Sequence, residues 1–308
     1  MGPIKPIEAR DTESGQVLMR SGIILAFFLE PFVYECSKAL TSAFDRFLQA
    51  VPPDSLKWAV INATSEQWRE VDPKVMKRIR DSLAPNGARK RKFTAFRVND
   101  AGDEAPQYGF TLSDRDKDEE QPVSRTLVQM TFPPGAADEE RVDAFYSLVA
   151  EFTAVLQPAY GYCAPALLPS DARQTAAFVE IRRVAQRFPG YDVAVNDLTQ
   201  LDIDARVRGA RWITMLGPAL ACALGGSDAM RRALPAQVEV RDVAGTTMIR
   251  AGRTPELGDV NRKLGTPLLR AVARVLEPVT LFGEINLLSY FANFDDDVLR
   301  RWERRFLD

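Results

Sequence analysis

The 308-residue sequence predicts an α+β fold, with antiparallel or mixed sheets flanked by helices and two similar α+β halves. Three observations predict it. Short apolar runs rich in strand formers alternate with segments whose apolar residues recur at helical spacing. Two groups of strand-like runs are separated only by short polar breaks, the pattern of antiparallel meanders and hairpins. The order strand, helix, strands, helix occurs between Val17 and Leu156. It returns in shortened form between Trp212 and Phe282, without sequence identity. Such an order reads as two α+β layers fused through one sheet.

In chain order, Met1 to Gln16 is polar and Pro-containing and reads as a flexible leader, residues 1–16, with no targeting signal. One domain over 17–308 follows, with sub-halves 17–170 and 171–308. Val17 to Leu29 is a buried strand. Pro31 opens a helix with Val33, Cys36, Leu40, Phe44, Phe47 and Val51 on one face, ended by Pro52-Pro53. Leu56 to Ile61 is a strand and Val75 to Leu83 a short amphipathic helix. Phe93 to Val98, Tyr108 to Leu112 and Arg125 to Phe132 form a meander with one solvated face. A long helix then buries Val142, Phe145, Val149, Phe152 and Leu156, with Asp138 or a neighbour as its cap. Gln157 to Ser170, rich in Pro, Ala and Tyr, reads as a partly buried connector. Ala172 to Phe188 is a helix, and the polar stretch Tyr191 to Arg208 a loop.

The rest is organised around Gly209 to Asn261. A strand from Trp212 stops at Gly217, and Pro218 opens an uncharged helix expected to be buried, closed by Gly225-Gly226. A hairpin (Val238 to Val243, Thr246 to Arg250) follows. Beyond it lie a helix from Pro267 to Leu276, a strand from Val279 to Phe282 and a last helix from Asp295 to Phe306. That helix has acids at its start and arginines at its end, as the helix dipole favours.

Composition narrows the function. A net charge of -2 argues against nonspecific nucleic-acid binding. No apolar run reaches the ~20 residues of a membrane span, and a cytoplasmic location is expected. Cys36, Cys163 and Cys222 lie far apart in apolar settings and read as buried free thiols. With no histidine in the chain, Ser-His-Asp and Cys-His nucleophiles and every His-ligated metal are excluded.

Chemical motifs are sparse. Asp202 and Asp204 lack a third carboxylate at ligand spacing and read as a surface turn. Gly258-Asp259-Val260-Asn261 could position a carboxylate and an amide, yet Asp and Asn beside glycine more often tie a turn. The basic run Ala88 to Lys92 lacks interleaved aromatics and reads as solvated. No glycine-rich phosphate cradle is present. The charged loop after Leu112 carries Asp114, Asp116, Asp118, Glu119 and Glu120 against only Arg115 and Lys117. Usually such a run is a soluble hairpin tip; the alternative is an acidic projection toward a cationic partner.

Arg211-Trp-Ile-Thr-Met-Leu-Gly217, Gly252-Arg-Thr-Pro-Glu-Leu-Gly-Asp-Val-Asn261 and Phe294-Asp-Asp-Asp-Val-Leu-Arg-Arg-Trp-Glu-Arg-Arg-Phe306 resemble the TsiV family. That family comprises type VI secretion immunity proteins against VRR-NUC nuclease effectors. The likeness runs from about Val17 to the C-terminus, and its motifs look structural. It implies a non-enzymatic immunity protein that needs no cofactor and has an effector toxin as its partner. Such a protein occludes the nuclease cleft by stoichiometric binding, and the five loop acids are the best contact candidates. The alternatives are a hydrolase or transferase using groups near Asp259, or an adaptor of the secretion machinery.

Overall fold

The computed structural model describes residues 6–61, 67–89, 94–114, 125–193, 203, 205–283 and 296–308. Its strands are β1 (Glu8–Arg10), β2 (Val17–Leu29), β3 (Trp58–Ile61), β4 (Arg69–Glu70), β5 (Ala95–Asn99) and β6 (Gly109–Ser113). They continue with β7 (Thr126–Phe132), β8 (Tyr160–Pro169), β9 (Asp192–Val193), β10 (Ile213–Leu216), β11 (Val238–Val243) and β12 (Thr246–Ala251). All join one sheet in the order β11-β12-β10-β8-β2-β7-β6-β5-β3-β4, with β1 alongside β2 and β9 alongside β8. Among the described strands only the β8–β9 pair is parallel.

The centre of the sheet is β2, as its uninterrupted apolar run requires. It pairs with β7 on one side (Ile23↔Phe132 to Leu29↔Thr126) and β8 on the other (Met19↔Pro169 to Phe28↔Tyr160). Here the connector expected from Gln157 to Ser170 is corrected: its core is β8, a ten-residue strand between β2 and β10. Proline normally avoids central strands because it lacks a ladder donor. Pro165 is accommodated because β10 pairs with β8 only from Tyr160 to Cys163, and β9 only at Ala166 and Leu167. Pro165 falls in the gap between them.

Both faces are covered. On one, α1 (Ser37–Ala50) and α4 (Val142–Leu156) pack side by side over an aromatic cluster. Phe44 meets Phe96 and Phe110, Phe47 meets Phe110 and Phe132, and Phe145 meets Phe132, with centroids 5.0–5.7 Å apart. Edge contacts of this kind add to the burial of large rings. Helices α2 (Pro73–Leu83) and α3 (Pro85–Arg89) extend this layer, and Asp72 caps α2 by accepting from the Val75 N–H at 2.6 Å. Asp138 caps nothing comparably, since α4 starts after Arg141 without a side-chain cap. On the other face α5 (Gln174–Arg187) lies over β2 and β8. There Phe28 stacks on Tyr160 at 5.4 Å.

Trp212 is buried, and its indole N–H donates to the Gly252 carbonyl at 3.2 Å, locking β10 to the end of β12. Helix α6 (Pro218–Ala223) follows as expected, and Gly225 and Gly226 end it with φ of 82° and 80°. Its burial is only partial. Leu220 and Ala221 face inward, whereas Ala219, Cys222 and Ala223 are exposed, so an uncharged face of small residues lies in solvent. Cys222 is therefore not a buried thiol, while Cys163 is and Cys36 is intermediate. Helix α7 (Gly226–Ala233) leads into the β11–β12 hairpin, whose turn places Ala244 and Gly245 at φ 48° and 87°. Both central residues at positive φ give the turn whose twist suits a two-residue hairpin.

Helix α8 (Pro267–Leu276) packs against β12. No strand runs from Val279 to Phe282; Glu277–Val279 is a 3₁₀ turn, and a single bridge joins Thr280 to Val207. Helix α9 (Asp296–Glu303) ends the chain. The aspartates at 202 and 204 and most of the basic run, Lys90 to Lys92, lie outside the described residues. No helix among the described residues is long and apolar enough to cross a membrane.

Candidate functional site

The neck of the acidic loop is built by β6 and β7, which pair up to Ser113↔Leu127. Asp114 comes next, and it does not project: it is fully buried. Its N–H donates to the Thr94 carbonyl at 2.8 Å. Its Oδ1 accepts from the Val33 N–H at 3.4 Å and lies 3.0 Å from the Thr126 hydroxyl. Asp114 therefore ties β6 to β7 and to the chain before α1, and it is removed from the set of contact candidates. Its charge also acts on Cys36. Burial first, then Asp114, pushes that thiol up to about 12, which leaves it inert. The remaining candidates, Asp116, Asp118, Glu119 and Glu120, lie outside the described residues.

Around Asp259 the structure shows a tied turn. Asp259 and Leu264 exchange backbone hydrogen bonds at 2.9 and 3.0 Å. The carboxylate receives Arg187 Nε and Nη2 at 3.3 and 3.1 Å and the Asn261 N–H at 3.0 Å. The hydrogen bond from Arg187 is the main cause holding its carboxyl below the usual range. A carboxylate so occupied is a poor proton acceptor for a substrate. Neighbours in the same motif are also structural. Glu256 accepts from the Leu268 and Leu269 N–H groups at 3.0 and 3.1 Å, serving the first turn of α8. A Cβ on Gly190 would run into the Glu256 carbonyl, so only glycine lets the end of α5 approach this segment.

Sequence reasoning missed a buried ionic cluster inside the stretch read as loop. Asp192 is fully buried on β9, and its Oδ1 accepts from Arg211 Nη2 at 2.9 Å, with Arg208 Nη1 3.7 Å from Oδ2. Arg208 also reaches the Tyr162 hydroxyl at 3.1 Å, and its N–H reaches the Tyr160 hydroxyl at 3.3 Å. Burial alone would raise the Asp192 carboxyl. The charges of Arg211 and Arg208 outweigh it and hold the group below its usual range. Arg305 from the C-terminus closes the cluster, its guanidinium 3.8 Å from the Trp302 ring and donating to the Pro189 and Trp302 carbonyls at 2.8 Å. Burial, then repulsion from Arg211, drives the Arg305 guanidinium well below its ordinary value. Two arginines, an aspartate and two tyrosines spread from 160 to 211 give no sequence signature until β8 and β9 bring them together.

The same C-terminal elements line a groove of about 530 Å³, bounded by the end of α5, the Val260–Gly265 turn, Arg270 of α8, and α9. A second recess of about 170 Å³ lies over the polar side of β5 to β7, where Arg97 bonds Asp171 at 2.5 Å and packs on the Trp68 ring. Among the described residues no group of three or more Cys, Asp or Glu side chains could hold a metal ion.

Two of the three quoted motifs thus meet at the groove, and the third forms the strand behind it. Residues 39–306 match the family described as TsiV, type VI immunity for VRR-NUC. The chain belongs to the TsiV family. Its fold is similar to that of a Pseudomonas aeruginosa T6SS protein of known structure. The TM-score is 0.76 at 17% identity, over 97% of this chain and 87% of that one. No curated protein matches the sequence significantly.

Proposed function

We propose that this TsiV-family chain neutralises a VRR-NUC effector nuclease by stoichiometric binding that occludes the catalytic cleft, acting in the cytoplasm of the producing cell. The family match over 39–306 is the observation that supports it. Occlusion requires no turnover, and the engagement of Asp259 by Arg187 and backbone donors favours a scaffold over an acid–base role. A nuclease cleft presents cations to phosphate. Asp116, Asp118, Glu119 and Glu120, on the loop whose neck Asp114 holds, would meet those cations in place of DNA.

The test mixes the purified chain with a VRR-NUC effector nuclease from the same strain. A 1:1 complex is expected, with nuclease activity falling in proportion to the chain added and vanishing at equivalence. Loss of activity at a small fraction of equivalence, or a complex that still cleaves DNA, would overturn occlusion. Replacing the four acids by Asn or Gln should slow association roughly tenfold at low salt, with the difference shrinking as salt rises. An association rate unchanged at every salt concentration would move the contact away from this loop.

A further inference from the structure

The C-terminal groove carries the opposite charge to the acidic loop. Its lining includes Arg270, Arg301 and Arg305 and no Asp or Glu. Among the described residues, neither Arg270 nor Arg301 in that lining has a carboxylate within 4.0 Å, nor has Lys263 in the turn beside them, whereas Arg187 and Arg262 nearby are paired with Asp259. Arg301 Nε donates only to the Asp297 carbonyl behind it. At the floor, Arg305 Nη2 is buried and unpaired, in a cluster where guanidiniums outnumber fully buried carboxylates. The groove is therefore short of anionic charge at its rim and at its base.

Apolar exposure gathers at the same place. Val260 and Leu264, each 58% exposed, are the most exposed large hydrophobics of the described surface, and both line the groove. Val179, 49% exposed, stands seven residues before Gln186 on α5, hence on the same helix face. Exposed aliphatics beside uncompensated cations are costly features for a surface that meets only water. A phosphate backbone would use the cations but gain little from the aliphatics. A peptide with acidic and apolar side chains uses both.

We propose that the groove between the Val260–Gly265 turn and α9 docks an acidic, apolar segment of the effector, a second contact separate from its nuclease cleft. Its carboxylates meet Arg270, Arg301 and Lys263, and its apolar side chains cover Val260 and Leu264. The inference rests on the immunity reading above. Two contacts of opposite polarity would also fix the orientation of the partner, because a reversed complex would set like charges against each other.

The test uses the full chain and a catalytically inactivated form of the same effector nuclease. R270E/R301E and V260S/L264S are compared with wild type by surface binding kinetics, with circular dichroism and melting curves as the check on folding. Arg270 and Arg301 make no ion pair among the described residues, so both variants should fold. Each should dissociate at least about tenfold faster. An array of overlapping effector peptides should show acidic, apolar peptides captured by wild type and lost by R270E/R301E. Folded variants with wild-type dissociation rates would overturn this inference and leave the immunity reading standing. A wild-type chain that fails to bind the effector would overturn both. Short single-stranded DNA held by wild type and released by R270E/R301E, with no peptide captured, would replace the peptide by nucleic acid and overturn it as well.

Discussion

Asp192 and Asp259 are each held by arginine, and the comparison separates two jobs of one ion pair. Asp259 is buried in its turn, but its partner Arg187 is half exposed and backbone donors share the load. Asp192 sits within the sheet on β9, where Arg208 and Arg211 have side chains only 3% exposed. Water reaches the guanidinium of the first pair and neither member of the second. An ion pair of similar geometry is thus a local fastener in one place and a requirement of the fold in the other.

The sharpest way to break the comparison is to remove both carboxylates. Asp192→Ala leaves two buried guanidiniums without their counter-charge and should cost about 3–5 kcal/mol, a large share of a typical domain's stability. Soluble yield and urea midpoint check it. Asp192→Asn, which keeps the shape and loses the charge, should fall between Asp192→Ala and wild type; a wild-type midpoint for Asp192→Asn would show that charge is not what matters there.

Trp212→Ala comes next, at roughly 3–5 kcal/mol, because it empties a large buried site and orphans the Gly252 carbonyl. Normal yield with an unchanged melting curve would contradict its placement. A smaller, pH-dependent effect should appear on the alkaline side. Cys36 and Tyr160 have ordinary values of 9.0 and 10.0, and burial lifts both to about 12 in the folded chain. Between those limits the unfolded chain binds fewer protons, so stability is full below pH 9 and declines as pH rises toward 12. Urea midpoints across that range check the sign; a rising midpoint would refute it. Asp259→Ala should have the smallest effect, a modest drop in melting temperature with effector binding retained, read by calorimetry. A loss as large as that of Asp192→Ala would erase the distinction between the two sites.

Much of the architecture was legible in the sequence, for definite reasons. Strand β2 announced itself by thirteen residues without a charge other than Arg20, and α1 and α4 by apolar residues at helical spacing. Gly225-Gly226 and Ala244-Gly245 mark breaks that only a few residue types allow. The middle of the sheet was not legible. Strand β8 carries Pro165 and Pro169 among Ala, Gly and Tyr, which is the composition of a connector. It becomes a strand only because β2 offers a full-length edge, a tertiary influence that local propensity does not contain. For the same reason Asp114 looked like one acid among five. Counting charges along a loop cannot tell the residue that turns back into the neck from those beyond it. The groove draws on α5, the turn after β12, α8 and α9, so its charge balance exists only after folding.

The pairing of β2 with β8 also sets an order of events in time. Strand β2 is synthesised first, yet the strand that covers one of its edges, from Met19↔Pro169 to Phe28↔Tyr160, emerges more than a hundred residues later. Until then a long apolar strand has an open edge, the kind of template on which nascent chains mispair and aggregate. Closing a loop of that length is slow compared with local hairpins such as β11–β12. The first neighbour of β2, strand β7, also lies about a hundred residues downstream, so both edges of β2 wait on translation for their cover.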